Sequence, residues 1–212
     1  LRTSRAGHTF TEREIRLCNA IANAATNALY NAFIYEKLET EKTKLEKFAI
    51  TDYLTDVYNI RYFYHRLEGE FSRAQRYKAP LSCIMFDIDY FKKVNDTYGH
   101  RVGDMVLREF AQFVKKHTRK SDVFARYGGE EFIMLLAQTS DKGAIAEAER
   151  LRYVIKEHRF KSLKNKKGIT ASIGVVSYPH KKIKTQDDLI TFADNALFTA
   201  KNSGRDQIRA WG

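Results

Sequence analysis

The sequence predicts an α+β domain, in which helices pack on an antiparallel or mixed β-sheet, with a long helix before it. Residues 11–50 carry a helical repeat that neither proline nor glycine interrupts. From residue 81 onward, strand and helix patterns alternate in the order β-α-β-β-α-β-α. Two of these strands flank a Gly-Gly-Glu-Glu turn, which is typical of a hairpin. A hairpin within an alternating pattern favours an α+β sandwich over an all-parallel sheet.

Composition limits the class of protein. The chain has 212 residues, of which 43% are hydrophobic and 13% aromatic, as in a folded chain with either one good core and an appendage or two small domains. No apolar run approaches the roughly 20 residues of a membrane span. We therefore expect no membrane contact in this fragment and a cytoplasmic location. Because the chain begins at Leu1 and not at Met, we expect a longer parent protein, either soluble or membrane-attached.

Charge and cysteine content narrow the possible partners. The net charge of +11 suggests nucleic acid, acidic lipid or phosphorylated ligands. The densest basic cluster comprises Lys156, Arg159, Lys161, Lys164, Lys166 and Lys167. No aromatic platform interleaves this cluster, so we interpret it as a solvated loop and expect no nucleic-acid partner. Cys18 and Cys83 lie far apart and form no CxxC spacing, so zinc and redox sites are unsupported.

The helix predicted over residues 11–50 carries a stripe at alternating spacings of four and three residues. Its members are Leu17, Ile21, Ala24, Ala28, Asn31, Tyr35, Leu38, Lys42, Leu45 and Ala49. The spacing indicates a coiled coil after residue 35. For residues 11–35, a helix packed on its own domain is an equal alternative. We place a domain boundary here, with a helical linker over residues 1–49 and a second domain over residues 50–212.

The second domain is predicted element by element from periodicity and from turn residues. Helices are expected at 61–77, ended by Pro80, and at 91–96, 103–118, 141–159 and 186–203, the last ended by Gly204. Strands are expected at 81–89, 122–127 and 131–137 and within residues 168–178.

Acidic residues gather at the predicted strand ends. Asp87 and Asp89 end one strand, and Glu130 and Glu131 occupy the hairpin tip. If these strands are neighbours, three or four carboxylates converge, and like charges raise one another's pKa. A hard divalent cation relieves that repulsion, and Mg²⁺ commonly takes one or two carboxylates together with phosphate oxygens. The residues alone predict a metal-dependent site that handles phosphates.

Glycines and cations surround these acids. Gly128 and Gly129 permit positive φ and a close approach of a ligand to the backbone. Other candidates nearby are Lys92, Lys93, Asn95, Gly99, Gly103, Asp104, Lys201 and Arg205. The chain contains neither GxxxxGK[ST] nor GxGxxG, which excludes a P-loop or a Rossmann turn as the phosphate site.

Five blocks in order resemble the GGDEF family, the diguanylate cyclases, over about residues 50–208. They are DYLTDVYNIRYF, FDIDYFKKVNDTYGHRVGD, ARYGGEEF, TASIGVVSY and ADNALFTAKNSGRDQI. The resemblance implies a palm-like fold of the nucleotidyl cyclase or ferredoxin-like kind. It also implies condensation of two GTP molecules into cyclic di-GMP and two pyrophosphates, with Mg²⁺ or Mn²⁺ as cofactor.

Roles follow from the resemblance. Asp87 and Glu130 correspond to metal ligands, helped by the Ile88 carbonyl, and Glu131 is either a metal ligand or assists proton removal. The implied substrate-binding residues are Gly128 and Gly129 at the ribose and phosphates, Lys92, Lys201 and Arg205 at the phosphates, and Asn95 and Asp104 at guanine. An ionised Asp accepts but cannot donate, which suits the N1–H and amine of guanine and disfavours adenine.

The resemblance implies regulation as well. Arg119 and Asp122 fit the RxxD motif of product inhibition by cyclic di-GMP, with Arg150 as a secondary contact. Because one site holds one GTP, two domains have to face each other, and we expect a homodimer through the coiled coil. Residues 10–32 resemble the closing helix of a GAF sensor domain. The alternatives are an inert GGDEF module that binds cyclic di-GMP or GTP, and a coiled-coil interaction protein.

Overall fold

A computed structural model describes residues 10–163 and 168–212. Lys164, Lys166 and Lys167 of the predicted basic cluster lie outside the described residues. The chain divides between Ala49 and Ile50 into two compact units. No helix in these described ranges combines the length and the apolar character that crossing a bilayer requires.

The first unit is built on one helix, α1 (Glu12–Ile50), of 39 residues. Its predicted extent is confirmed to within one residue. Thr11 and Glu14 form a capping box at its start: the Thr11 amide donates to the Glu14 carboxylate at 2.8 Å, and the Glu14 amide donates to the Thr11 hydroxyl at 3.3 Å. No residue of α1 is buried. Its apolar stripe therefore faces solvent in the single chain.

The second unit contains a six-stranded mixed sheet in the order β1-β3-β4-β2-β5-β6. The strands are β1 (Tyr58–Asn59), β2 (Leu81–Ile88), β3 (Val123–Gly128), β4 (Glu131–Ala137), β5 (Ala171–Tyr178) and β6 (Ile208–Ala210). The four long strands pair antiparallel, whereas β1 and β6 run parallel to β3 and β5 at the edges. The predicted fold class is confirmed. The two edge strands were not predicted, because two or three residues are too few to show an alternating pattern.

Five helices accompany the sheet, close to their predicted positions. They are α2 (Ile60–Tyr77), α3 (Phe91–Tyr98), α4 (His100–Lys116), α5 (Asp141–Glu157) and α6 (Gln186–Asn202). The prediction that α4 begins at Gly103 was wrong by one turn. Gly99, with φ of 84°, makes a sharp corner between α3 and α4, and α4 begins directly after it.

Strand β2 lies between two hydrophobic layers, one on each face of the sheet. All eight of its residues are buried. Ile84 and Phe86 face the layer that contains residues of α4 and α5, and Cys83 and Met85 face the layer that contains residues of α2 and α6. Such burial on both faces explains why the strand reads as a continuous apolar run. The strand is therefore a rigid support for the acidic residues at its carboxyl end.

Gly174 of β5 lies close to the backbone of α6. A Cβ at this position would lie 2.1 Å from the Ala193 carbonyl oxygen and 2.3 Å from the Leu197 nitrogen, both backbone atoms. Gly174→Ala should therefore lower the free energy of unfolding by about 3 kcal/mol, because the helix has to move.

The matched control is Gly69→Ala, on the exposed face of α2, where nothing lies within 4 Å of the added carbon. It should stabilise the fold by about 0.5–1 kcal/mol. Urea unfolding measures the change in the free energy of unfolding for both variants, which should differ in sign. Equal changes in the two variants would contradict this packing.

Candidate active site

The end of β2 brings one buried carboxylate against one cation. The Asp87 side chain is 5% exposed, and the Lys201 Nζ donates to its Oδ2 at 2.7 Å. Lys201 lies in the last turns of α6, whose packing on the sheet brings the ammonium group to the strand end. We predicted from the sequence that Lys201 binds phosphates, and its pairing with Asp87 was not foreseen.

The Gly-Gly-Glu-Glu turn lies beside this pair. Asp87 stands opposite Glu131 in the antiparallel register of β2 and β4. Gly129 has φ of 49°, which allows the tight turn, and the Ile88 amide donates to the Glu130 carbonyl at 3.4 Å. The structure thus brings together Asp87, Ile88, Glu130 and Glu131, which were predicted as catalytic or metal-binding residues.

The cluster carries more negative charge than its one lysine offsets. Burial raises the pKa of Asp87, Glu130 and Glu131, and the charge of Asp87 raises the pKa of both glutamates further. Lys201 acts in the opposite direction on all three groups. Although burial disfavours its charge, the hydrogen bond to Asp87 raises the pKa of Lys201, so it stays an ammonium. With all three carboxyl groups ionised, the cluster has a net negative charge.

Of the three or four carboxylates expected to converge, three do, because the oxygens of Asp89 are engaged by other groups, although its charge still raises the pKa of Asp87. The Asp89 Oδ1 accepts from the Ser172 hydroxyl at 2.7 Å, and its Oδ2 accepts from the Thr170 hydroxyl at 2.7 Å and from the Asp206 amide at 3.0 Å. With three donors satisfied, Asp89 ties the end of β2 to β5 and to the loop after α6.

The predicted guanine-binding residues lie on the α3–α4 pair that follows β2. Gly103 makes room for Asn95, since a Cβ at 103 would lie 1.9 Å from the Asn95 Oδ1. Asp104, the next residue, is exposed, as is Lys92 in the first turn of α3. Arg205 lies beside the start of α3, with its guanidinium 4.8 Å from the centre of the Tyr90 ring, and its charge lowers the pKa of Asp87.

One set of contacts that stabilises the Gly-Gly-Glu-Glu turn was not predicted from the sequence; we call it the brace. The Arg126 guanidinium donates to the Gly129 carbonyl at 2.7 Å and 3.1 Å and pairs with Asp52 at 3.3 Å. Asp52 also accepts from the Thr55 hydroxyl at 2.6 Å, which closes the loop before β1. A charged residue two places before a glycine turn was the available signal. The brace holds the turn in the shape that presents Glu130.

The predicted product-binding residues lie together at a second place. Arg119, Asp122 and Arg150 line one surface cavity of about 410 Å³. Asp122 is buried and accepts from the Arg119 amide at 3.2 Å, and burial raises its pKa. The Arg150 guanidinium is held by Glu147 and by the His117 carbonyl. The cavity is therefore lined by two arginine and two acidic side chains, namely Arg119, Arg150, Asp122 and Glu147.

Glu131→Gln, measured without divalent cations, should raise the thermal midpoint by a few degrees at neutral pH. The pKa of Glu131 is higher in the folded chain than in the unfolded one, so its contribution to stability is present at low pH and is lost as pH rises through the folded pKa. The gain from glutamine should disappear below about pH 4, where both states are protonated.

Glu109→Gln is the control of opposite sign. Burial opposes the shift, but hydrogen bonds from Ser162 and Lys161 lower the pKa of Glu109, so its loss should destabilise the fold at neutral pH. Calorimetric scans across pH compare the two variants. A lower midpoint for Glu131→Gln at neutral pH would show that the cluster is not strained by its charge.

Comparison with known proteins places this geometry in a family. The family described as "Diguanylate cyclase, GGDEF domain" matches residues 49–207. Diguanylate cyclase A of Treponema denticola is 37% identical over 206 residues, 96% of this chain and 52% of that protein. The response regulator PleD of Caulobacter vibrioides is 39% identical over 162 residues, 76% of this chain and 36% of that protein. The chain thus spans about half or less of these curated relatives.

Solved structures agree in fold. The coiled coil and GGDEF domain of DgcB from Caulobacter crescentus, in complex with c-di-GMP, has a TM-score of 0.74 at 26% identity, covering 94% of this chain and 100% of that one. The active GGEEF domain of a diguanylate cyclase from Vibrio cholerae has a TM-score of 0.68 at 35% identity, covering 73% of this chain and 97% of that one. The GAF origin expected for α1 stays a prediction. The extent of these matches and the five motif blocks on one sheet show that the chain belongs to the GGDEF family of diguanylate cyclase domains.

Proposed function

We propose that this chain condenses two molecules of GTP into cyclic di-GMP and two pyrophosphates. The observation that carries the proposal is the gathering of Asp87, Glu130 and Glu131 around Lys201 at the end of β2. The signature Gly128–Phe132 reads GGEEF, as in the Vibrio cholerae domain described as active. The alternative is an inert module that binds cyclic di-GMP or GTP, and the first experiment below distinguishes the two.

The acidic cluster fits a hard divalent cation such as Mg²⁺ or Mn²⁺. Its donors are carboxylate oxygens of groups whose pKa values are raised. Raised pKa values show that the ionised carboxylates are destabilised, and a divalent cation would offset their negative charge. In the described part of the chain, no group of three or more Asp, Glu, His or Cys side chains is arranged so that it could hold a metal ion by itself. Asp87, Glu130 and the Ile88 carbonyl would therefore supply part of the coordination shell, with phosphate oxygens completing it. The bound ion would offset the charge that develops on the phosphates and lower the pKa of the attacking 3′-hydroxyl.

The remaining groups orient the nucleotide. Lys92, Lys201 and Arg205 bind the phosphates, and Gly128 and Gly129 let the chain approach the ribose closely. Asn95 and Asp104 read guanine through its N1–H and amine, since an ionised Asp only accepts. Glu131 assists either as a further ligand or in removing the proton of the hydroxyl. Positioning of this kind supplies much of the rate in phosphoryl and nucleotidyl transfer.

Two copies of the domain have to meet, because each product molecule joins two nucleotides. The exposed stripe of α1 includes Tyr35, Leu38 and Leu45, whose exposed fractions are 71%, 59% and 68%. A parallel coiled coil of two such helices would bury this stripe, and Asn31 in the seam would set its register. The coiled coil would hold the two active sites at an effective concentration, each relative to the other, of roughly millimolar.

The cavity beside Arg119 is the proposed site of feedback inhibition. Arginine binds the O6 and N7 edge of guanine in a bidentate manner, and Asp122 holds the turn that presents Arg119. Arg150 lies across the same cavity as a second contact. Cyclic di-GMP bound here would inhibit its own synthesis.

Glu130→Ala should reduce product formation from GTP and Mg²⁺ by at least about 1,000-fold, because it removes an oxygen ligand from the cation. Chromatography of the nucleotides measures the product, and circular dichroism checks the fold. Glu157→Ala, an exposed acidic residue at the end of α5, is the control and should keep full activity. Wild-type protein without product would favour the inert module, and an active Glu130→Ala would remove Glu130 from the metal site.

Arg119→Ala should abolish inhibition by cyclic di-GMP and leave the initial rate within about twofold of wild type, because the cavity is separate from the acidic cluster. Initial rates measured with added product test this separation, and calorimetry measures product binding. Persistent inhibition of the variant at wild-type product concentrations would place the inhibitory site elsewhere.

Deleting residues 1–45 should yield a mostly monomeric protein whose specific activity rises with enzyme concentration, because the effective concentration that α1 supplies, roughly millimolar, is lost. Sedimentation and turnover across a dilution series measure both effects. A truncated protein with full activity at every dilution would show that α1 does not organise the dimer.

A further inference from the structure

The loop after α6 carries Arg205 in an unfavourable backbone conformation. Arg205 and Asp206 have φ of 63° and 45°, so two consecutive residues with side chains occupy the left-handed region. Non-glycine residues adopt this region rarely, and a pair of them persists only when the surroundings hold it. The contacts of this loop therefore decide where the Arg205 guanidinium lies.

Asp206 anchors the loop in three directions. Its Oδ1 accepts from Arg152 at 2.6 Å and its Oδ2 accepts from Lys156 at 2.6 Å, both on α5. Its amide donates to the Asp89 Oδ2 at 3.0 Å, at the end of β2. The Arg152 side chain is 16% exposed and the Asp206 side chain 26%, so the first of these ion pairs is partly shielded from solvent. Asp206 thereby links α5 and β2 through the residue next to Arg205.

Arg205 itself rests on an aromatic ring. Its guanidinium lies 4.8 Å from the centre of the Tyr90 ring, and the Lys93 ammonium lies 4.6 Å from the same centre. Tyr90 follows Asp89 directly and also has a positive φ, of 56°. The two residues after Ile88 thus hold the two residues after Gly204, one through a hydrogen bond and one through a cation–π contact.

We propose that Asp206, held by Arg152, Lys156 and Asp89, is the positioning residue that sets Arg205 on the Tyr90 ring and aims its guanidinium at the nucleotide phosphates. The phosphate part of this inference rests on the proposed function. A free arginine loses several rotatable bonds when it binds phosphate, and fixing it beforehand reduces that entropic cost. Asp206 affects binding through Arg205 and does not touch the nucleotide.

The first test needs no nucleotide. A proton above an aromatic ring is shifted upfield by the ring current, so the Nε–H resonance of Arg205 should be displaced in wild-type protein. Asp206→Asn keeps the amide that binds Asp89 but removes both ion pairs, and it should return this resonance towards the value of a free arginine. Tyr90→Leu should do the same, which assigns the displacement to the ring.

The second test uses binding. Asp206→Asn should lower the affinity for GTP about fivefold to tenfold and leave the affinity for guanosine unchanged, because only the contact with the phosphates is misplaced. In an Arg205→Gln background the same substitution should have no further effect. Arg152→Gln removes the same ion pair from the α5 side and should reproduce the loss, so the test does not depend on one variant folding well.

Glu149→Gln is the matched control. Glu149 pairs with the same Arg152 at 2.6 Å, but within α5, and its side chain is 51% exposed. It should change neither the Arg205 resonance nor GTP affinity. An unshifted resonance in both Asp206→Asn and Arg152→Gln would overturn the proposal, as would an equal loss of GTP and guanosine. If wild-type protein bound no GTP, the proposed function would fail, and the resonance would still decide whether Asp206 positions Arg205.

Discussion

The ion pair of Asp87 with Lys201 is the constraint on which the site depends. A carboxylate whose side chain is only 5% exposed is costly unless a cation and hydrogen bonds accompany it. Strand β2 carries that carboxylate out of the core, and α6 has to pack closely enough on β5 to deliver the ammonium group, which Gly174 permits. The packing of α6 on the sheet and the charge balance of the site are therefore coupled, and a substitution that displaces α6 should also weaken the Asp87–Lys201 ion pair.

Two aspartates on one strand end serve different purposes because their partners differ. Asp87 pairs with Lys201 and lies near the charges of Asp89, Glu130, Glu131 and Arg205, and its pKa is raised. Asp89, by contrast, accepts from three protein donors. The second arrangement ties the end of β2 to the neighbouring strand and to the loop after α6. Arg126 does similar work on the other side by holding the Gly129 carbonyl. A site whose reactive groups rest on such supports keeps its geometry before the substrate arrives.

Local sequence patterns predicted most of the fold, but they did not predict contacts between residues that are far apart in the sequence. The long helix, the four long strands and the acidic turn follow from periodicity and turn residues, and the five blocks indicated the family. The short strands β1 and β6 did not, because they form only through pairing with β3 and β5. The Asp206–Arg152 contact joins residues 54 positions apart, and no spacing rule anticipates it. Pairing of Lys201 with Asp87 was missed for the same reason, across 114 positions.

We propose that the negative charge at the end of β2 is balanced by a divalent cation that binds together with the nucleotide. Carbon-detected NMR of the Asp87 carboxyl carbon tests this directly, by titrating this group in the apo protein and again with Mg²⁺ and a non-reactive GTP analogue. The account predicts that the pKa of Asp87 lies above its ordinary value in the apo protein and falls well below it when both are bound. An Asp87 pKa that does not change on addition of cation and nucleotide would contradict the account.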